Sequence, residues 1–439
     1  MKQQLLHLIE RLRGSFWLVP AVMMLAALVL AQGLQSLDAR LAIESIPGLG
    51  WLSLREPDSA RALLSTIAGS TITVAGTVFS ITTVALTLAA SQFGPHLVRN
   101  FIRDRGTQAS LGIFLSTFVY ALMVMRGIDN GENNGRNLSL AVTAAVALAL
   151  LCMAYLIYFI HNVAQSIQVD NITYHINREF RDALESLYPT EESRDPLKSR
   201  REINALSLGD NCHCVMTRSS GYVQRIDREK LTQWATDNDC CIVLLCHPGT
   251  FLNHWSCMAR IFEPPRAQDS DDIADAIASA ITVGSQPTAE QDIVFSIRQL
   301  AQIAVRALSP GVNDPFTAYA CMDRLIDGIG IILQRPQLPN CFHDRDSRLR
   351  LVTSELDFAD VLSAALDEIR EYGRDSSVVT RHLLKQLTEL AEICDRREDQ
   401  RALKHLLERV SEDCENCIED RFDIATIQRH ITRARNKLD

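Results

Sequence analysis

The chain has 439 residues, of which 47% are hydrophobic and 22% charged, with a formal net charge of −9. An acidic surface of mixed sign excludes the broad basic face that nucleic-acid binding needs, so no nucleic-acid partner is expected. The mean hydropathy of +0.02 averages two unlike halves. The chain is strongly apolar to about residue 160 and rich in Asp, Glu and Arg beyond residue 168.

Residues 1–14, MKQQLLHLIERLRG, form a basic start, and the apolar run 16–32 follows with Pro20 inside it. A secretion signal begins in the same way, but this run is long for a signal core and three more apolar spans follow. It therefore reads as an uncleaved first membrane span. Residues 35–61 are polar enough for a loop, and Pro57-Asp58-Ser59 supplies a helix start, with Asp58 or Ser59 as the cap.

The second span, residues 62–91 (ALLSTIAGSTITVAGTVFSITTVALTLAAS), has neither a charge nor a proline. As a helix it would run roughly 45 Å, more than the ~30 Å hydrocarbon core of a bilayer. Thr66, Ser70, Thr73, Thr77, Ser80, Thr87 and Ser91 recur at three- and four-residue steps, with Val84 interrupting the row. These positions share one helical face.

Gly94 and Pro95 end that span. Residues 96–108 carry Arg99, Arg103 and Arg105 among apolar residues at helical spacing, as a segment in the headgroup layer would. A short third span, 111–125, stops at Arg126, and 126–137 is a loop of turn formers. The fourth span, 138–160, ends in Tyr155, Tyr158 and Phe159, an aromatic belt. Basic residues in the short loops favour four spans with both termini cytoplasmic, since the opposite orientation exports a cysteine-rich region of more than half the chain.

Residues 161–185 continue the fourth span as a charged helix expected to leave the membrane without a flexible break and to couple the two halves mechanically, and 188–201 reads as a linker. From 212 to 262 short β-like runs alternate with turns. The order S-G-Y-V-Q-x-I-D … C-H-P-G-T-F-L resembles small barrel-sandwich domains of the biotinyl/lipoyl type. No lysine stands at a hairpin tip, so a swinging-arm cofactor is not expected, nor is any other cofactor. After an acidic linker at 264–272, helices are expected over 290–308, 315–332, 358–372, 376–396, 400–416 and 418–438.

The fold class expected is a four-helix membrane α region followed by a cytoplasmic α+β region, a small barrel-sandwich-like β-module and a helical domain. The divisions fall at 1–163 for the membrane domain, 164–201 for the connecting helix and linker, 202–266 for the β-module and 267–439 for the helical domain. In a cytosolic setting the 12 cysteines are expected to stay reduced, without disulfides. Cys212-His213-Cys214 and the pair Cys414 and Cys417 come nearest to ligand pairs, but zinc needs four ligands, so no metal site is expected.

Ser65 to Val124 (STIAGSTITVAGTVFSITTVALTLAASQFGPHLVRNFIRDRGTQASLGIFLSTFVYALMV) carries a resemblance, together with YFIHNVAQSIQVDNI at 158–172, SGYVQRID at 220–227 and DIVFSIRQLAQIAVRALSPGVNDPFTA at 292–318. These stretches resemble the predicted bacterial membrane proteins of domain-of-unknown-function family 2254. The resemblance implies an inner (cytoplasmic) membrane protein with a cytoplasmic C-terminal part. It implies no established activity and transfers no functional residue.

Three readings of the hydroxyl row stand side by side: bonds back to the helix's own carbonyls, close helix–helix approach through small residues, and the lining of a water-filled pore shared between subunits. The span holds no ionisable group of the kind coupled transporters keep at membrane depth, which favours passive flow. Phe79 with Val84, or Leu86 with Leu88, would supply an apolar constriction. Arg99, Arg103 and Arg105 would ring the cytoplasmic mouth or bind lipid headgroups. In the soluble half, Ser309, Pro310, Gly311, Asn313, Asp314 and Pro315 form a rigid connector in which Ser309 and Asn313 are expected to cap the flanking helices. No phosphate-cradling loop, G-x-S-x-G or H-E-x-x-H occurs, so no enzyme is expected. His161 and His175 read as structural.

The function expected is a homo-oligomeric ion channel lined by the second span and gated by the cytoplasmic region, with lipids, further copies of the chain and inorganic ions as partners. The alternative is a membrane-anchored scaffold or sensor whose cytoplasmic region binds a protein.

Overall fold

The computed structural model describes residues 17–38, 57–93, 105–129, 139–166, 168–188, 212–264, 269–338, 340–354 and 356–438. The chain divides into two units, Met1–Asn171 and Ile172–Asp439.

In the first unit, four helices are long and apolar enough to cross a membrane. They are α1 (Leu18–Asp38), α2 (Pro57–Phe93), α3 (Arg105–Asp129) and α4 (Ser139–Ser166). All four expected spans are present as apolar helices, and each runs past its expected C-terminal end. The third is not short: its 25 residues continue through Arg126 to Asp129. A helix in lipid satisfies its own backbone, so polar flanks extend it rather than end it.

α3 is the central element and packs on α1, α2 and α4. Half of its apolar window is buried (50%), against 17%, 22% and 22% for the other three. Small residues permit this approach. Gly112 faces the Pro20 backbone and Met23 of α1, and Ala27, Ala31, Ala68, Ala121, Ala141 and Ala145 lie in the shared core.

One polar cluster ties the helix ends together. The carboxylate of Asp38, the last residue of α1, accepts from the N–H groups of Leu140 (3.1 Å) and Ala141 (2.9 Å). It thus caps α4 from another helix and takes two amides that have no partner within α4. The Tyr120 hydroxyl donates to the Ala141 carbonyl at 2.8 Å, and Gln35 Nε2 to the Met123 carbonyl at 2.9 Å. Residues 35–61 were expected to be loop, yet Gln35 and Asp38 are helical and Asp38 is only 6% exposed. Asp38→Ala leaves one buried and one part-buried donor unpaired, so a loss of about 1–3 kcal/mol is expected. Thermal unfolding in detergent checks it.

The expected unbroken helix out of the fourth span is corrected. α4 ends at Ser166, and α5 (Val169–Leu187) starts anew with Gln168 outside both. The two helices satisfy different surroundings. α4 is apolar nearly all round, whereas α5 buries one stripe of Ile172, Ile176, Phe180 and Leu184 and exposes charge elsewhere.

The second unit continues with β1 (Cys212–Met216), β2 (Gly221–Ile226), α6 (Arg228–Asp237), β3 (Cys241–Leu244), β4 (Phe251–Leu252), β5 (Cys257–Phe262), α7 (Ser270–Ala278) and β6 (Ile281–Gly284). Then come α8 (Ile293–Ala307), α9 (Pro315–Gln334), β7 (Cys341–His343), β8 (Leu349–Val352), α10 (Phe358–Gly373), α11 (Ser377–Glu392), α12 (Arg397–Cys417) and α13 (Arg421–Leu438). The helices expected after residue 290 are all found within a few residues of their expected bounds.

The barrel-sandwich expectation is corrected. Among the described residues the strands form two open sheets, a five-stranded β1-β5-β3-β8-β7 and a three-stranded β4-β2-β6, and no closed barrel. The S-G-Y-V strand (β2) pairs with the strand after the C-H-P-G turn (β4), Tyr222 opposite Phe251. However, β6, β7 and β8 join from beyond residue 266, and β8 runs parallel to β3. Arg350 secures that late strand. Its guanidinium bonds Asp344 and Asp239, each at 2.7 Å, and the Cys240 carbonyl at 3.4 Å.

Candidate functional site

The face of α2 that carries the hydroxyls is exposed in the four-helix unit. Leu64, Ile67, Ala68, Thr71, Ala75, Val78, Ala85 and Ala89 point inward, and Thr66, Ser70, Thr73, Thr77, Ser80 and Thr87 point outward. Ser91 is helical, but its side chain lies outside the described residues. Val84, 65% exposed, interrupts the row as expected. Thr83 was overlooked: it is exposed beside Val84 and lies on the other flank, in line with exposed Gly69 and Gly76. The face is therefore centred on Thr66, Thr73, Ser80 and Thr87 at seven-residue intervals, with Ser70 and Thr77 to one side and Gly69, Gly76 and Thr83 to the other. Reading the glycines into the hydroxyl row would have revealed this.

The outward faces of α1 and α4 differ in kind. Val22, Leu25 and Val29 on α1, and Leu150, Met153, Ile157 and Ile160 on α4, are large aliphatic residues more than half exposed. Such faces suit lipid tails. On α2, a Cβ added at Gly69 or Gly76 meets nothing within 4 Å, so the row presents a shallow groove. Phe79, 54% exposed, and Val84 project from its edge.

Back-bonding, one of the three readings, is present. Thr66 donates to the Ala62 carbonyl (2.8 Å), Ser70 to Ile67 (3.0 Å), Thr73 to Gly69 (2.8 Å), Thr77 to Thr73 (3.1 Å) and Thr87 to Thr83 (2.9 Å). A hydroxyl has one proton and two lone pairs. With the proton turned to the backbone, the oxygen faces outward as an acceptor. Of the candidate arginines, Arg99 and Arg103 lie outside the described residues. Arg105 opens α3 and is exposed.

The 309–315 connector is a helix corner, as expected, with one change. Ser309 bonds the end of α8, its hydroxyl donating to the Arg306 carbonyl at 2.7 Å. Of the Asn313-Asp314 pair expected to begin α9, Asp314 supplies the cap and Asn313 does not. Asp314 Oδ1 accepts from the N–H groups of Phe316 (3.1 Å) and Thr317 (3.2 Å), and the Thr317 hydroxyl donates to Oδ2 at 2.6 Å. That last bond, with the amides, holds the carboxyl below the usual carboxylate range. Asn313 instead takes the left-handed φ of 48° that turns the chain, and Pro315 occupies the first helical turn. Gly311 has open space around it. Asp314→Ala is expected to cost about 1 kcal/mol of stability, the usual worth of a cap, in chemical denaturation.

A buried carboxylate that sequence reasoning missed sits beside the C-H-P-G turn. Asp292 caps α8 through the N–H groups of Val294 (3.0 Å) and Phe295 (3.3 Å). It packs on Gly249, whose φ of +90° and lack of a Cβ admit the contact. Burial pushes its pKa up, partly offset by the two amides. The native state thus holds this proton more tightly than the unfolded chain does. Its contribution to stability is complete below the ordinary carboxylate pKa and is lost as pH rises through the folded value. Asp292→Asn keeps an acceptor for the cap and removes the charge. Thermal unfolding at acid and neutral pH is expected to show that decline flattened.

The cysteines depart from expectation in one place: Cys214 and Cys257, on the paired strands β1 and β5, are joined as a disulfide. Adjacent antiparallel strands bring their Cα atoms to 6.0 Å, and sequence distance gave no hint of it. Most of the others are buried, as small hydrophobes would be. No cluster of three or more His, Cys, Asp or Glu side chains fit for a metal occurs among the described residues. His161 and His175 are both exposed, and His175 packs edge-on against Tyr174.

Residues 13–389 match the family described as "Predicted membrane protein (DUF2254)". The chain is 28% identical to Uncharacterized protein MT1328 of Mycobacterium tuberculosis (strain CDC 1551 / Oshkosh) over 392 residues, 88% of this chain and 74% of that one. It has the same identity and coverage with Uncharacterized protein Mb1321c of Mycobacterium bovis (strain ATCC BAA-935 / AF2122/97). No solved structure matches the chain.

Proposed function

We propose that this chain, which belongs to the predicted-membrane-protein family DUF2254, is a homo-oligomeric ion channel of the bacterial inner membrane whose pore is lined by α2. The observation that carries the reading is the contrast between outward faces: large aliphatics on α1 and α4, and on α2 a row of hydroxyls and glycines flanked by exposed Ile72, Phe79, Ile81, Val84 and Leu88. A face of that kind is wasted on lipid. The seven-residue repeat of Thr66, Thr73, Ser80 and Thr87 is the spacing by which several α2 helices would supercoil around one axis. The outward oxygens are acceptors, so the pathway would favour cations, with Phe79 and Val84 as its apolar constriction.

In this reading both termini are cytoplasmic and the second unit is the gate. No catalytic role is assigned to any residue. The test is ion flux into liposomes containing purified protein. Cation flux above that of empty vesicles supports the reading. No flux under voltage, tension, altered pH or Ca²⁺ counts against it.

A second reading, a membrane-anchored scaffold or sensor, is favoured by one observation. In the second unit Val312 (63%), Phe316 (78%) and Phe422 (87%) are unusually exposed apolar side chains. Chemical cross-linking of the intact protein in membranes separates the readings. Cross-links between α2 copies support the channel, and a stoichiometric foreign protein at Phe316 or Phe422 supports the scaffold.

A further inference from the structure

The cysteines of the second unit fall into two populations. Of the nine outside the disulfide, seven are buried and Cys417 is partly so. Burial pushes the thiols of Cys240, Cys246 and Cys394 up to about 11, and those of Cys241 and Cys321 up to about 12. Such groups carry almost no thiolate near neutral pH and are poor partners for exchange. The other population lies on β1 and β5. Cys214 is exposed, Cys257 is half-buried, and Cys212, two residues before Cys214 on the same face of β1, is exposed as well. The sulfur of Met216 lies 3.8 Å from that of Cys214.

We propose that Cys214 and Cys257 form a reversible redox modification site, exchanging between dithiol and disulfide with small thiols and disulfides of the glutathione type. Two observations independent of the bond itself carry this. Cys214 is open to solvent and Cys257 partly so, whereas a structural cross-link is ordinarily enclosed and resists reduction. It also joins an edge strand: among the described residues β1 pairs with no strand but β5, through a ladder from Cys212 opposite Phe262 to Met216 opposite Cys257, with a bulge between Val215 and Met216. The cross-link spans 43 residues and encloses β2, α6, β3 and β4. Closing it constrains that stretch, and opening it leaves β1 on its ladder alone.

The chemistry balances with a small co-reactant. In oxidation, a thiolate of the pair attacks a small disulfide and expels one small thiol. The second cysteine then attacks the mixed disulfide and expels the other. Two protein thiols become one disulfide, and the small disulfide becomes two thiols. A dithiol reverses both steps.

The test uses the full-length protein in detergent or nanodiscs, held in reduced or oxidised glutathione, then alkylated without unfolding and mapped by peptide mass. The expected result is that Cys214 and Cys257 are labelled together in reduced buffer and protected together in oxidised buffer. Cys212, with no partner, should be labelled in reduced buffer and carry at most a glutathione adduct in oxidised buffer, and the eight buried cysteines of the whole chain should be labelled in neither. Oxidation should also raise the melting temperature by about 5 °C. In Cys214→Ser, Cys257 should be labelled in reduced buffer and form no intramolecular disulfide in oxidised buffer. Labelling of the pair in oxidised buffer overturns the proposal, as does protection that persists in reduced buffer or an intramolecular disulfide of Cys212 in place of Cys214.

Discussion

Thr77→Leu and Ser80→Leu should each reduce ion flux by about tenfold or more, which corresponds to ~1.4 kcal/mol or more on the barrier to permeation. Both positions are exposed on the hydroxyl face of α2, Ser80 on its centre line and Thr77 on its flank. Leucine at Ser80 adds apolar bulk one turn from Val84, where the proposed pathway is narrowest, leucine at Thr77 adds it on the same flank as Val84 two turns earlier, and each removes an outward oxygen. Neither side chain takes part in the packing of α2 on α3, so the four-helix unit should fold and assemble as before. Ile157→Leu, on the aliphatic outward face of α4, is the matched control and should leave flux unchanged. Flux that survives both α2 substitutions would move the pathway elsewhere.

Gly328→Val should destabilise the second unit by about 3 kcal/mol, the upper part of the usual cost of overpacking. Gly328 lies on α9 directly beneath the Phe180 ring of α5, and a Cβ there would overlap the ring. Phe180 is fully buried and has no room to withdraw. Around it, Arg335 donates to the carbonyls of Leu184 (3.2 Å) and Tyr188 (2.8 Å), and Arg181 pairs with Asp327 at 3.3 Å. α5 therefore has little freedom to slide on α9. A fall of roughly 6–12 °C in melting temperature is expected for a unit of this size. A fall of a degree or less would mean that α5 does not seat on α9 as described. The same substitution tests the proposed coupling, because a loosened α5 should alter gating without touching α2.

What the sequence made legible divides by range. The four spans and the helices from α8 to α13 follow from apolar runs and a 3.6-residue rhythm, which are local. The sheets do not. β8 lies more than a hundred residues from β3, and β7 and β8 are three and four residues long within a polar stretch. Nothing in that stretch announces their partners. Asp38 was hidden differently, since its role as the cap of α4 depends on a helix a hundred residues away. The disulfide depends on the β1–β5 pairing and was invisible for the same reason. For the candidate site, the hydroxyl row and its shared face were read from spacing alone. That the face points out of its own four-helix unit required the packing around α3.

That outward face is where the proposed function stands or falls. The most direct measurement is the labelling of single-cysteine variants at Thr73, Ser80, Leu150 and Ile157, in a background lacking other accessible cysteines, by a membrane-impermeant aqueous thiol reagent. A water-filled pathway along α2 predicts rapid labelling at Thr73 and Ser80, loss of flux on labelling, and no reaction at Leu150 or Ile157. If the two α2 positions are as unreactive as the two on α4, no water reaches that face and α2 lines no pore.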